Sequence, residues 1–149
     1  MNLPELHEMS IAESSDLIRA QQLSPVELTQ AYLDRIEALN ANLGAFITVM
    51  GESALAQART AEAEISSGRY RGPMHGIPVA VKDIISTRGV LTSAGSKVLA
   101  GNIPDHDSTL IERLDNAGAP LLGKLNLSEF AIGGTIDHPY GTPRNPWNT

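Results

Sequence analysis

The sequence predicts an α/β fold, a mixed sheet flanked by helices, on three observations. Segments of helical period alternate with short apolar runs of strand length. One of those runs, Pro78–Ile85, is almost continuously apolar, as a strand buried on both faces is, and Ala119–Lys124 is a second short strand. Capping residues and glycine stops bracket the helical segments. At 149 residues the chain has room for one domain, divided here into a helical region over 1–68 and the start of a sheet over 69–149.

Each element has its own local cause. Ser10-Ile11-Ala12-Glu13 has the form of a capping box, and Leu17 and Ile18 follow on one helical face. Ser24-Pro25-Val26-Glu27 is a second start signal, with serine as N-cap, proline at the first helical position and glutamate at the third. The helix it opens sets Leu28, Tyr32, Ile36 and Leu39 on one stripe, with Asp34, Arg35 and Glu37 outside. Ala45–Met50, apolar and bounded by Gly44 and Gly51, reads as a strand. Glu52–Ser66 is rich in alanine and places Leu55, Ala58, Glu62 and Ile65 at helical spacing, with Gly68 as the stop.

Residues 68–78 carry Gly68, Gly72, Pro73, Gly76 and Pro78 and form a loop. In the strand that follows, alternation puts Ala80, Lys82 and Ile84 on one face and Val79, Val81 and Asp83 on the other. Gly89–Gly101 is mostly small and polar. Asp105 or Asp107 caps a helix bearing Leu110, Ile111, Leu114 and Ala117, ended by Gly118. Ala119–Lys124 is the next strand, and Leu127–Ile132 a helical turn. From Gly133 to Thr149 the chain is rich in Gly and Pro yet keeps Ile136, Tyr140 and Trp147, which marks a segment that shapes a site rather than a disordered tail. Such a segment leads onward, so the expectation is a chain that is incomplete as it stands.

Composition narrows the chemistry. A net charge of −6 argues against a nucleic-acid or anionic-membrane partner. The absence of cysteine excludes disulfides, thiolate metal sites and thiol catalysis. Met1–Glu5 lacks the basic and apolar regions of a signal peptide, and no apolar run approaches the roughly 20 residues that span a bilayer. The expectation is a soluble cytoplasmic protein.

Several local patterns carry little. Gly118-Ala-Pro-Leu-Leu-Gly-Lys124 matches the first seven positions of a phosphate-binding loop, but Leu125 stands where Ser or Thr should hold magnesium, and an apolar strand occupies the loop itself. A plain strand is the better reading. His7, His75, His106 and His138 show no metal-ligand spacing. No Ser-x-x-Lys pair is present.

Lys82 is different. It lies among Val79, Ala80, Val81, Ile84 and Ile85, where a charged side chain needs a reason. A lysine drawn into apolar surroundings tends to lose its proton and becomes a base near neutral pH. The plainer reading is a stem packed in the sheet, with the head at the strand end or paired with a carboxylate such as Asp83. Ser93 and Ser96 sit in a glycine-rich stretch where a hydroxyl can meet Lys82, although serines there usually serve turns.

Taken in order, Ser24-Pro-Val-Glu-Leu28, Gly72-Pro-Met-His-Gly-Ile-Pro-Val-Ala-Val-Lys-Asp83, Thr92-Ser-Ala-Gly-Ser96, Gly118–Asn126, Glu129-Phe-Ala131 and Asn145-Pro-Trp147 resemble the N-terminal part of the amidase signature family. The resemblance implies the early part of that family's fold and a Ser–cis-Ser–Lys triad hydrolysing carboxylic amides, with no cofactor. It places the catalytic lysine on Lys82, and both serines with the oxyanion hole downstream of Asn145-Pro-Trp147, beyond Thr149. One triad member of three is then present, and the isolated chain is expected to be inactive. Gly133, Gly134 and Thr135 are implied as residues lining the substrate cavity. Gly133–His138 is more similar to stand-alone amidases than to the transamidase subunit that makes Gln-tRNA. The expected partners are a small-molecule amide and the remainder of the enzyme, or a second copy as a homodimer. The alternatives are a catalytically silent interaction module and a glutamine-dependent amidotransferase component.

Overall fold

A computed structural model describes residues 3–133 and 138–147. Among the described residues the elements are α1 (Ile11–Arg19), α2 (Pro25–Leu43), β1 (Phe46–Val49), α3 (Gly51–Ser66), β2 (Val79–Lys82), α4 (Thr109–Ala117) and β3 (Leu121–Leu125). Short 3₁₀ turns occur at Leu3–Glu8, Lys97–Leu99 and Glu129–Ala131. The alternation of helices and strands is the expected α/β order.

The two serine starts work as the sequence predicts. Ser10 Oγ accepts from the Glu13 N–H at 3.2 Å, and the Glu13 carboxylate accepts from the Ser10 N–H at 2.9 Å. The reciprocal bonds satisfy donors that the first helical turn leaves without partners. Ser24 Oγ accepts from the N–H groups of Val26 and Glu27 at 3.1 and 3.2 Å, and its own proton goes to Glu62 on α3. The cap of α4 differs from expectation. Ser108 fills that place, its carbonyl taking the Glu112 N–H, while Asp107 accepts from the Arg88 N–H and Asp105 from His106.

The three strands form one mixed sheet in the order β1-β3-β2. β1 and β3 are antiparallel, pairing Phe46 with Leu125 and Val49 with Gly123, with an irregularity between Phe46 and Thr48. Gly123 is required there, because a Cβ on it would lie 2.2 Å from the Thr48 carbonyl oxygen. β2 runs with β3, the Val79 N–H donating to Pro120 O and the Asp83 N–H to Leu125 O.

The chain divides into two compact units. The first comprises 1–36, 50–79 and 113–122. Its core joins Leu6, Ile18, Leu23, Leu28, Ala31, Ile65 and Ile77, with Met9, Leu17, Tyr32, Tyr70 and Met74 packed against them. On α3 the buried stripe is Ala54, Ala58, Ala61 and Ile65 rather than one through Leu55 and Glu62. On α2 the buried face is Pro25, Leu28, Thr29, Ala31 and Leu33, and Leu39 is exposed. A helix that buries more than one stripe hides residues that a single-stripe reading puts outside. The second unit comprises 37–49, 80–112 and 123–149 and holds the ends of β2 and β3 with the loops that follow them.

β2 is shorter than Pro78–Ile85, and burial on both faces is not found. Val81 and Asp83 are buried, whereas Lys82 and Ile84 are exposed. The alternation holds, and the face carrying Lys82 is the outer one in this chain.

Candidate active site

The end of β2 brings two consecutive charges to opposite sides of the sheet. Lys82, its last residue, is exposed, and Asp83 is fully buried. Asp83 is held by its backbone and by one carboxylate oxygen, while the other, Oδ1, is buried without a hydrogen bond. Its N–H donates to Leu125 O at 3.0 Å, and its carbonyl accepts from the Ala94 N–H at 2.9 Å. Its Oδ2 accepts from Ser93 N–H at 2.9 Å and from Ser93 Oγ at 2.5 Å. Its Oδ1 faces the Lys124 ammonium at 3.5 Å. The carboxylate that stands next to Lys82 in sequence is therefore the partner of Lys124.

Lys124, on β3, is the buried lysine of this chain, with no exposed side-chain surface. Its Nζ donates to Ile85 O at 2.7 Å and to Thr92 Oγ1 at 2.8 Å. Burial pushes its ammonium below the usual lysine value, against the pull of the Asp83 carboxylate, which favours the charged form. A buried charge survives only when paired and hydrogen-bonded, and this one is both. The sequence does carry a signal for it, since Leu121-Leu-Gly-Lys-Leu125 sets a lysine among apolar residues just as Lys82 is set.

The loop over Thr92–Ser96 is tied down by the same network and by its neighbours. Ser96, fully buried, donates to Glu129 Oε1 at 2.7 Å, and the Phe130 N–H donates to Ala94 O at 2.8 Å. Ala94, Phe130 and Ala131 all adopt positive φ, of 51°, 50° and 58°. Non-glycine residues rarely do so, and such strain persists only where surrounding bonds impose it. Among the described residues, the side chains of Ser93 and Ser96 are engaged by Asp83 and Glu129, not by Lys82. Gly133 follows this turn and is exposed. Gly134 and Thr135 lie outside the described residues. The Lys97 ammonium sits 4.0 Å from the centre of the Tyr140 ring, which ties the 138–147 segment to the same loop.

A second polar cluster lies in the first unit. His75 is fully buried. Its Nδ1 accepts from the Arg71 N–H at 3.1 Å, so Nε2 carries the proton and points at Glu64 Oε2, 3.2 Å away. Arg71 forks onto both oxygens of Glu64 at 2.7 Å and reaches Asp115 O at 3.0 Å. Burial, with the nearby Arg71 charge, holds the imidazole below its ordinary value and therefore neutral. Among the described residues no group of three or more His, Cys, Asp or Glu is placed to hold a metal ion. No described helix is long and apolar enough to cross a membrane.

Comparison with known proteins gives this arrangement a context. The amidase family model matches residues 27–149, a span that contains Lys82, Asp83, Ser93 and Lys124. The chain is 46% identical over 145 residues to a glutamyl-tRNA(Gln) amidotransferase subunit from Methylococcus capsulatus, covering 97% of this chain and 30% of that protein. Peptide amidase from Stenotrophomonas maltophilia superposes with a TM-score of 0.88 at 40% identity, over 99% of this chain and 31% of its own. A fatty acid amide hydrolase reaches a TM-score of 0.90 at 22% identity, which speaks for the fold alone. The chain thus spans about 30% of the length of the curated relatives it matches. With the fold, the ordered sequence elements and the relatives in agreement, the chain belongs to the amidase family.

Proposed function

We propose that this chain supplies the lysine base of a serine-dependent amide hydrolase, with Lys82 as the catalytic residue and the two serines carried outside these 149 residues. The observation that carries the reading is the family match across the Val81-Lys82-Asp83 element, whose lysine is exposed at the end of β2 next to a locked Asp83. A serine attacks an amide carbonyl only if its proton has somewhere to go, and the departing amine must be given one. A lysine in its neutral form does both. It takes the nucleophile's proton through a bridging serine, then returns a proton to the leaving nitrogen as the acyl-serine forms. Water then releases the acid. Gly133, Gly134 and Thr135 line the substrate side in this reading.

The experiment uses the protein expressed from its complete gene and measures ammonia released from glutamine and from a peptide amide. Lys82→Ala should lower turnover by orders of magnitude while the circular dichroism spectrum stays unchanged. Near-normal turnover in that variant overturns the assignment, and no turnover of any amide by the wild type favours a non-catalytic interaction module.

A second reading is supported by the curated relatives, which are subunits of an amidotransferase acting on glutamyl-tRNA(Gln). Under it the ammonia is passed to a second substrate instead of being lost to water. Co-purifying partner proteins and glutamine-dependent amidation of charged tRNA would select it.

A further inference from the structure

We propose that Asp83 is a positioning residue for Lys82, held in that role by Ser93 and by the Lys124–Thr92 pair; the proposal rests on Lys82 being the base of the reaction. In extended backbone, consecutive side chains leave opposite faces, so fixing one residue fixes the direction of the next. Asp83 is fixed by hydrogen bonds at its N–H, its carbonyl and its Oδ2, from Leu125, Ala94 and Ser93, while its Oδ1, which receives no hydrogen bond, faces the Lys124 ammonium at 3.5 Å. The tie extends past it. Lys124 Nζ also holds Ile85 O, and the Ile85 N–H donates to Lys82 O at 3.0 Å. Lys82 is therefore clamped between a bonded strand and a bonded turn while its own side chain stays exposed.

Stability alone is a poor reason for this network. A buried ion pair is often no better for stability than well-packed apolar side chains of similar volume. What a carboxylate with several fixed partners supplies is direction. A displacement of the order of 1 Å at a reacting group costs about 100-fold in rate, so a base benefits from a clamp of this kind.

The test uses the protein expressed from its complete gene and two readouts. The first is kcat and KM for glutamine and a peptide amide. The second is the ¹H–¹³C methyl resonance of reductively methylated Lys82, assigned by its loss in Lys82→Arg, which needs no activity. Ser93→Ala removes the hydroxyl bond to Asp83 and the bond that hydroxyl accepts from the Gly95 N–H, but leaves the Ser93 N–H and the ion pair in place. The expected result is kcat lowered at least about 10-fold, KM within roughly twofold, and a shifted Lys82 resonance in a folded protein. A folded Ser93→Ala protein with wild-type kcat, or with the Lys82 resonance unmoved, overturns the proposal. Should Ser93→Ala fail to fold, Thr92→Val, with Thr92→Ser as the rescuing variant, decides by the same two readouts. Wild-type turnover by Lys82→Ala instead fails the hydrolase reading, and the resonance then judges the clamp by itself.

Discussion

Lys82 and Asp83 are neighbours in sequence and opposites in environment: the lysine is exposed, and the carboxylate is fully buried against the Lys124 ammonium at 3.5 Å. Two charges that look like one local pair are thus assigned to different tasks. One is bound into the interior by β3 and the 92–96 loop, and the other is left available at the strand's end.

The buried pair makes a prediction about stability. Removing one partner strands the other's charge inside the protein, a change that typically costs about 3–5 kcal/mol. Lys124→Met should fall near the lower end of that range, because the Asp83 carboxylate keeps both Ser93 bonds. Asp83→Asn combined with Lys124→Met removes both charges, and the double variant should lose less stability than the sum of the single losses. Urea unfolding of the four proteins measures this. Simple additivity would mean that the two charges do not act on each other.

The alternation of elements was legible in the sequence because each helix carries its own start or stop. Ser10, Ser24 and Gly68 act through bonds within a few residues of themselves. Parity against the core was not legible. Both Lys82 and Lys124 lie in apolar runs, and nothing local says which one faces inward. The same limit applies to the cap of α4. Asp105, Asp107 and Ser108 all have suitable side chains, and the choice falls to Ser108 because Asp107 is taken by the Arg88 N–H, 19 residues away in sequence. Burial of Asp83 and the engagement of Ser93 depend on residues 10 to 41 positions distant, which no periodicity reports.

Gly118 gives a second prediction. It ends α4 at φ +73°, and a Cβ placed on it would lie 2.3 Å from the His75 ring. Gly118→Ala adds backbone strain to an overpacked contact, and overpacking by itself typically costs about 1–3 kcal/mol. The urea midpoint should fall clearly. In a His75→Ala background the same substitution should cost less, since the ring it meets is gone. An equal loss in both backgrounds would mean that φ alone, and not the ring, demands glycine.

His75 also sets a pH dependence whose sign follows from its environment. Its folded value lies below the ordinary 6.5, chiefly because burial disfavours the imidazolium and the Arg71 charge adds to that. The unfolded chain therefore binds more protons than the folded one over the interval just below 6.5, and stability must rise with pH through that interval. Stability is fully present above 6.5 and is lost as the pH falls beneath it. Glu64 and Asp105, both held low by hydrogen bonds from Arg71 and His106, contribute stability that is lost only at lower pH, as they approach protonation. Urea midpoints measured between about pH 8 and about pH 5 should therefore decline for the wild type, and the decline should flatten in His75→Gln, which cannot take up the proton. An undiminished decline in His75→Gln would assign the effect to another group.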